Sequence, residues 1–112
     1  MDINAEVKAA IEQARNAAHQ AATNYFHEVM RGKDNYPCGF AWVKVYEKGN
    51  TKLGRALLKN GFSKSYSGGL EMWNPSGLPY QNVDVKEAGA EAAAKVLNQL
   101  LGVKAYAGSR LD

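Results

Sequence analysis

The chain has 112 residues, of which 46% are apolar and 22% charged, a composition that excludes a wholly disordered protein and suits one domain over residues 1–112. No apolar run approaches the ~20 residues needed to cross a bilayer, and the first residues lack the unbroken apolar stretch of a secretory signal. One cysteine and two histidines exclude an internal disulfide and a structural zinc site. We therefore expect a cytoplasmic protein with no membrane partner, metal or cofactor.

The net charge of +3 is unevenly distributed along the chain. Residues 31–64 contain eight basic and two acidic side chains, a net charge of +6, so the remainder carries −3. A basic middle suits an anionic partner such as nucleic acid, a nucleotide or an acidic protein. The alternative is an ordinary solvated surface on which lysines cluster by chance.

The first predicted element is a long helix over residues 3–31. Its apolar residues recur at steps of three and four, which is typical of an amphipathic helix. These residues are mainly alanine, and they are Ile3, Val7, Ala10, Ile11, Ala14, Ala17, Ala18, Ala21, Tyr25 and Val29. Gly32 and Pro37 end the helix. At ~1.5 Å per residue the helix spans about 40 Å, which is long for one small domain and favours a homodimer or higher oligomer.

An α+β unit is predicted over residues 38–112. Its elements in chain order are a strand at 40–46, a helix at 52–60, strands at 62–66 and 70–73, a helix at 84–101 and a strand at 103–109. Thr51 and Asp84 are the expected helix caps, and consecutive glycines join the two middle strands as a hairpin. This order predicts a ferredoxin-like βαββαβ fold, a four-stranded antiparallel sheet with both crossover helices on one face.

Alternation along the strands gives the predicted sheet two unlike faces. One face carries small and aliphatic residues for the helices. The other carries aromatic residues among charged ones, namely Phe40, Trp42, Lys44, Tyr46, Glu71, Trp73, Lys104 and Tyr106. Proteins that bind single-stranded nucleic acid use such a surface, because rings stack on bases while cations hold phosphates.

Six residues are predicted to bind the anionic ligand. They are Trp42, Lys44, Lys64, Tyr66, Trp73 and Arg110. In the alternative arrangement the alanine-lined helix lies on the aromatic face, so that Trp42 and Trp73 belong to a second core layer. In an intermediate arrangement the helix covers only part of the aromatic face, or pairs with a second subunit, and leaves a groove along its edge.

No motif predicts catalysis. Ser76 lies in the sequence Asn-Pro-Ser-Gly of a type I turn and lacks the strand–nucleophile–helix context of a nucleophile elbow. Residues 49–56 have the glycine spacing of a P-loop, but Arg55 and Ala56 replace its lysine and its hydroxyl residue. We therefore expect a protein that is not an enzyme, with a small hydrolase or transferase as a distant alternative.

Four segments carry a resemblance to known sequences. They are CGFAWVKV at 38–45, WNPSG at 73–77, DVKEAGAEAAAKVL at 84–97 and AYAGSRLD at 105–112. Together they resemble a family of small, uncharacterised phage and prophage proteins, over about residues 36–112. The resemblance implies a phage accessory protein that acts in the host bacterial cytoplasm by binding and blocking, with host defences or host nucleic-acid machinery as the expected targets. The expected partner is an anionic nucleotide or nucleic acid, or alternatively a host enzyme or defence complex that the protein inhibits.

Overall fold

The computed structural model describes residues 2–112 and has an α+β architecture. Its elements are α1 Ile3–Glu28, β1 Gly39–Val45, α2 Lys52–Lys59, β2 Ser63–Lys64, β3 Leu70–Trp73, α3 Val83–Leu101 and β4 Ala105–Leu111. The four strands form one antiparallel sheet in the order β2-β3-β1-β4. The prediction of an α+β protein with a long first helix and a four-stranded antiparallel sheet is confirmed.

The first helix is shorter at its end than predicted. Asp2 caps its start, because the carboxylate accepts the Ala5 N–H at 3.1 Å. At the other end Arg31 and Gly32 both have positive φ angles, 56° and 74°, and the Gly32 N–H donates to the Phe26 carbonyl oxygen at 2.9 Å. This left-handed ending stops the helix at Glu28 instead of at residue 31.

The cap of α3 is Asn82, and the prediction of Asp84 in that role was wrong. The Asn82 side-chain oxygen accepts the Val85 N–H at 3.1 Å. Asp34 holds the backbone that leads into this cap, since its two carboxylate oxygens accept the N–H groups of Gln81 and Asn82 at 2.8 and 2.9 Å. A contact from far along the chain therefore decides where α3 begins.

Two strand boundaries also differ from the prediction. The strand expected at 62–66 is reduced to Ser63–Lys64, because the turn of the β2–β3 hairpin begins directly after it. The last strand lies at Ala105–Leu111 instead of 103–109. Its seven residues pair one for one with the seven of β1, from Gly39 opposite Leu111 to Val45 opposite Ala105.

One face of the sheet forms the core together with the helices. Six strand residues on this face are buried, and they are Ala41, Val43, Val45, Leu70, Met72 and Ala105. Leu57 of α2 and Leu97 of α3 are buried with these side chains. Both crossover helices therefore cover the same face.

The long helix packs on α2 and α3 and leaves the other face of the sheet uncovered. Within residues 2–112, no Cα atom of α1 lies within 8 Å of a strand Cα atom. The buried stripe of α1 is alanine-rich, and α3 offers Ala90, Ala93, Ala94 and Gly89 in return. A Cβ added to Gly89 would lie 3.2 Å from the Ala18 carbonyl oxygen, so the two helices approach closely. The arrangement in which α1 covers the aromatic face was wrong, because small residues on α3 fit an alanine stripe more closely than tryptophans do.

Candidate nucleic-acid interface on the open sheet face

The face of the sheet opposite the helices is here called the open face. Its members come from β1, β3 and β4, with Tyr46 directly after β1, and they are Phe40, Trp42, Lys44, Tyr46, Glu71, Trp73, Tyr106 and Arg110. Strand pairing places them in rows, because directly opposed residues point to the same side. Trp42 lies opposite Trp73, while Lys44 lies between Glu71 and Tyr106.

Three aromatic rings form a cluster at one end of the open face. The rings of Trp42 and Trp73 have centroids 4.9 Å apart, and Phe40 meets Trp73 edge-on at 5.9 Å. The Trp42 indole lies over Gly108 of β4, where an added Cβ would come within 2.4 Å of Nε1. Trp42 is therefore half-buried against the sheet, whereas Trp73 remains 43% exposed and can stack on a ligand.

Two cations accompany this cluster. The Arg110 guanidinium lies 5.4 Å from the Phe40 ring centroid and 5.6 Å from that of Trp73. Lys86 reaches from α3, with its ammonium 5.3 Å from the Phe40 centroid and donating to the Gly39 carbonyl oxygen at 2.8 Å. These contacts are within the range of cation–π interactions, so positive charge is held beside the exposed Trp73 ring.

A tyrosine pair lies farther along the open face. Tyr46 and Tyr106 meet at 5.7 Å between centroids and are 57% and 56% exposed. The Lys44 ammonium lies 5.7 Å from the Tyr46 centroid and donates to the Ser67 hydroxyl at the tip of the β2–β3 hairpin. This second aromatic group is therefore also accompanied by a cation.

One carboxylate lies between the two aromatic groups. Glu71 is on the same face as Trp73 and accepts the indole N–H of Trp73 at 2.9 Å. The bond orients the Trp73 ring, while the carboxylate adds a negative charge to a surface whose other charges are positive. Glu71 is thus a positioning group on this face and an electrostatic cost for an anionic ligand.

The structure brings together four of the six predicted ligand-binding residues. Trp42, Lys44, Trp73 and Arg110 share the open face. Lys64 lies opposite Leu70, which points toward the helices, so Lys64 belongs to the other side of the sheet edge. Tyr66 lies in the hairpin turn and is fully exposed. Lys64 therefore lies apart from the open face because of its register with Leu70, and Tyr66 does so because the predicted strand at 62–66 ended too late.

Several contributors to the open face were absent from the six predicted residues. Strand alternation indicated Phe40, Tyr46 and Tyr106, but they were not chosen as binding residues. Lys86 could not be found by alternation, because it belongs to α3 and reaches the Phe40 ring only through the packing of α3 on β1. The contact between the Trp42 indole and Gly108 could not be predicted from the sequence around either residue, because it depends on the pairing of β1 with β4.

Ser76 is part of a packed turn. It is 8% exposed, and its hydroxyl donates to the Asn74 side-chain oxygen while accepting the Leu78 N–H, each at 3.2 Å. Its Cβ also fits against α3, where a Cβ added to Gly89 would lie 3.2 Å away. The hydroxyl of Ser76 therefore stabilises the turn itself, while its Cβ packs against α3.

Comparison with known proteins finds no protein-family model, curated protein or solved structure that matches the chain. Of the helices in residues 2–112, none is both long and apolar enough to span a membrane. The geometry and charge of the open face are therefore the features that bear on function.

Proposed function

We propose that this protein binds single-stranded nucleic acid on the open face and does so without catalysis. The observation that carries the proposal is two groups of aromatic rings, each with exposed members and an accompanying cation, on a sheet face that no helix covers. Bases stack on such rings whatever their sequence, and each stacked base contributes about 1–3 kcal/mol. The cations are placed to neutralise the phosphates of the same strand.

The spacing of the rings favours a chain of nucleotides over a single nucleotide. Tyr46 lies four residues along β1 from Trp42, which corresponds to about 13 Å at the rise of a β-strand. This is about four times the ~3.4 Å axial rise from one stacked nucleotide to the next along a strand of duplex DNA. A ligand that contacts both the tryptophan cluster and the tyrosine pair must therefore span more than one base.

We further propose that residues 39–111 adopt the ferredoxin-like fold. The proposal is supported by the order strand–helix–strand–strand–helix–strand. It is supported as well by the antiparallel pairing of β1 with both of its neighbours and by the position of α2 and α3 on one face. The link to phages and to host defence rests on sequence resemblance and stays a prediction.

The homodimer or higher oligomer also stays a prediction. It was based on the length and the alanine stripe of α1. That stripe is buried inside the chain, with Val7, Ala14, Ala18 and Ala22 covered by α2 and α3. The stripe therefore gives no reason for a second subunit.

Fluorescence titration with a labelled oligothymidylate tests the proposed function. At low salt we expect quenching of tryptophan emission and saturable binding that weakens steeply as salt rises, because phosphate contacts release counterions. Trp73→Ala should reduce affinity roughly tenfold, since it removes an exposed stacking platform. Tyr36→Ala is the matched control, because Tyr36 is also an aromatic residue, is even more exposed than Trp73 and lies outside the sheet, and it should leave affinity within about twofold.

Two results would overturn the proposal. One is unchanged tryptophan emission with both DNA and RNA oligonucleotides at low salt. The other is an equal loss of affinity in Trp73→Ala and Tyr36→Ala, which would mean that the open face is not the binding surface. If an isolated host protein binds instead, with little dependence on salt, the alternative of a protein–protein inhibitor replaces nucleic-acid binding.

A further inference from the structure

A cleft lies beside the open face, between the β1–α2 loop at residues 46–50 and the hairpin residues 64–70. Its volume is about 640 Å³, and Lys48 and Lys64 line it from opposite walls. We propose that this cleft, here called the basic cleft, is a phosphate-binding site. The proposal rests on the proposed function, because it assigns the cleft to a phosphate group of the strand that lies on the open face.

The charge in the basic cleft favours an anion. Glu47 is the only carboxylate among its lining residues, and its Oε1 already accepts the Thr51 hydroxyl at 3.1 Å and the Lys48 N–H at 3.3 Å. The two lysines therefore leave a net positive charge at the mouth, and Lys44 adds a third ammonium beside it through its bond to Ser67. Ammonium groups on facing walls can contact one phosphate from two sides.

Small residues allow the walls to come close together. A Cβ added to Gly49 would lie 3.3 Å from Cε of Lys64, so the Lys64 stem packs on the Gly49 backbone across the cleft. Within residues 2–112, the N–H groups of Gly49 and Asn50 have no protein acceptor. Backbone amides without a partner are ordinary donors to phosphate oxygens at such loops. The cleft thus combines charge with hydrogen-bond donors that the fold itself does not use.

The position of Tyr46 connects the basic cleft to the open face. Tyr46 lines the cleft and also pairs with Tyr106 on the open face. A strand that stacks on the tyrosine pair therefore brings its next phosphate to the cleft. The shared chemistry is a phosphate group, supplied either by the end of the strand or by an internal phosphodiester.

Pyrophosphate titration of the ¹⁵N-labelled full chain tests the cleft independently of any base. We expect saturable shifts in the amide signals of Gly49, Asn50 and Gly68. Lys48→Gln and Lys64→Gln should each weaken the apparent affinity roughly tenfold, as expected for one charge-assisted hydrogen bond. Lys59→Gln is the matched control, because it removes the same charge from an exposed residue on α2 that does not line the cleft, and it should change affinity by less than about twofold.

The absence of saturable shifts would overturn the proposal, and so would an equal effect of Lys59→Gln and Lys64→Gln. These outcomes differ from a failure of the proposed function. If pyrophosphate binds the cleft but oligonucleotides leave tryptophan emission unchanged, nucleic-acid binding fails while the phosphate site stands. If oligonucleotides bind through Trp73 but Lys48→Gln and Lys64→Gln alter neither titration, the cleft proposal fails alone.

Oligothymidylates with and without a 5′-phosphate identify the source of the phosphate. A terminal phosphate in the cleft makes the phosphorylated strand bind several-fold tighter to the native chain, and Lys64→Gln removes that difference. An internal phosphodiester gives equal affinity for both strands, and Lys64→Gln weakens both. Either pattern supports the basic cleft, whereas equal affinities that Lys64→Gln leaves unchanged overturn it.

Discussion

The two faces of the sheet carry opposite kinds of side chain with opposite degrees of burial. Along β1, Ala41, Val43 and Val45 are almost completely buried under the helices, while the larger Trp42 is only half-buried. On β3, Leu70 is buried beside the exposed Trp73. The small residues form the core because α2 and α3 cover them, and the largest aromatic residues remain at the surface. The comparison shows that burial in this protein follows the position of the helices and not the size of the side chain.

The sharpest test of this comparison is to truncate one large side chain in the core on the helix side of the sheet and one on the open face. Leu57→Ala removes a fully buried side chain from the core and should lower the free energy of unfolding by about 2–5 kcal/mol. Trp73→Ala leaves no enclosed cavity, so its cost should stay near or below ~1.5 kcal/mol. Guanidinium unfolding followed by circular dichroism measures both. A Trp73→Ala cost that matches Leu57→Ala would show that the open face is core.

The next largest effect on stability is expected where the Trp42 indole contacts Gly108. Gly108→Val must displace the indole, because a Cβ would come within 2.4 Å of Nε1, and overpacking of this kind costs about 1–3 kcal/mol. Tryptophan emission should shift to the red as the ring is exposed. In a Trp42→Ala background the same substitution should cost much less. Equal costs in the two backgrounds would contradict this contact.

The outer edge of β4 depends on one amide side chain. Asn98 accepts the Ala105 N–H at 2.8 Å and donates to the Ala105 carbonyl oxygen at 3.0 Å, so it pairs with the strand as a neighbouring strand would. Asn98→Ala should lower stability by about 1–2 kcal/mol and speed hydrogen exchange at Ala105. Asn98→Asp keeps the acceptor but loses the donor, so its stability should lie between those of the native chain and Asn98→Ala. Unchanged exchange at Ala105 in Asn98→Ala would contradict this role.

The smallest expected effect is a gain in binding on the open face. Glu71→Gln keeps an oxygen for the Trp73 indole N–H but removes a negative charge. Oligothymidylate affinity should rise about two- to threefold at low salt, with the free energy of unfolding changed by less than about 0.5 kcal/mol. The gain should disappear at high salt. Weaker binding by Glu71→Gln at low salt would argue against an anionic ligand on this face.

Local patterns were sufficient for β1, β3 and the division of the sheet into two faces. Alternation along β1 predicted which residues the helices cover, since a strand with one buried face must alternate. Local sequence patterns gave wrong predictions where a residue distant in the chain decides where an element begins or ends or which way a side chain points. Asn82 caps α3 in place of Asp84 because Asp34 fixes the preceding backbone. Tyr66 was predicted in a strand that the hairpin turn cuts short, and Lys64 stays in that strand but pairs with Leu70 on the side of the helices.

The sequence by itself determined the helices, the order of the strands along the chain and the aromatic and basic character of one sheet face. Only the tertiary structure decided that this face stays open. The alanine stripe of α1 could pack on any surface that complements it, and local periodicity does not distinguish between an aromatic sheet and a second alanine-rich helix. Close approach at Gly89 favours α3, because small residues let two backbones meet and gain dispersion contacts along their length. The open face, with Trp73 exposed at one end, is the consequence of this packing of α1 on α3.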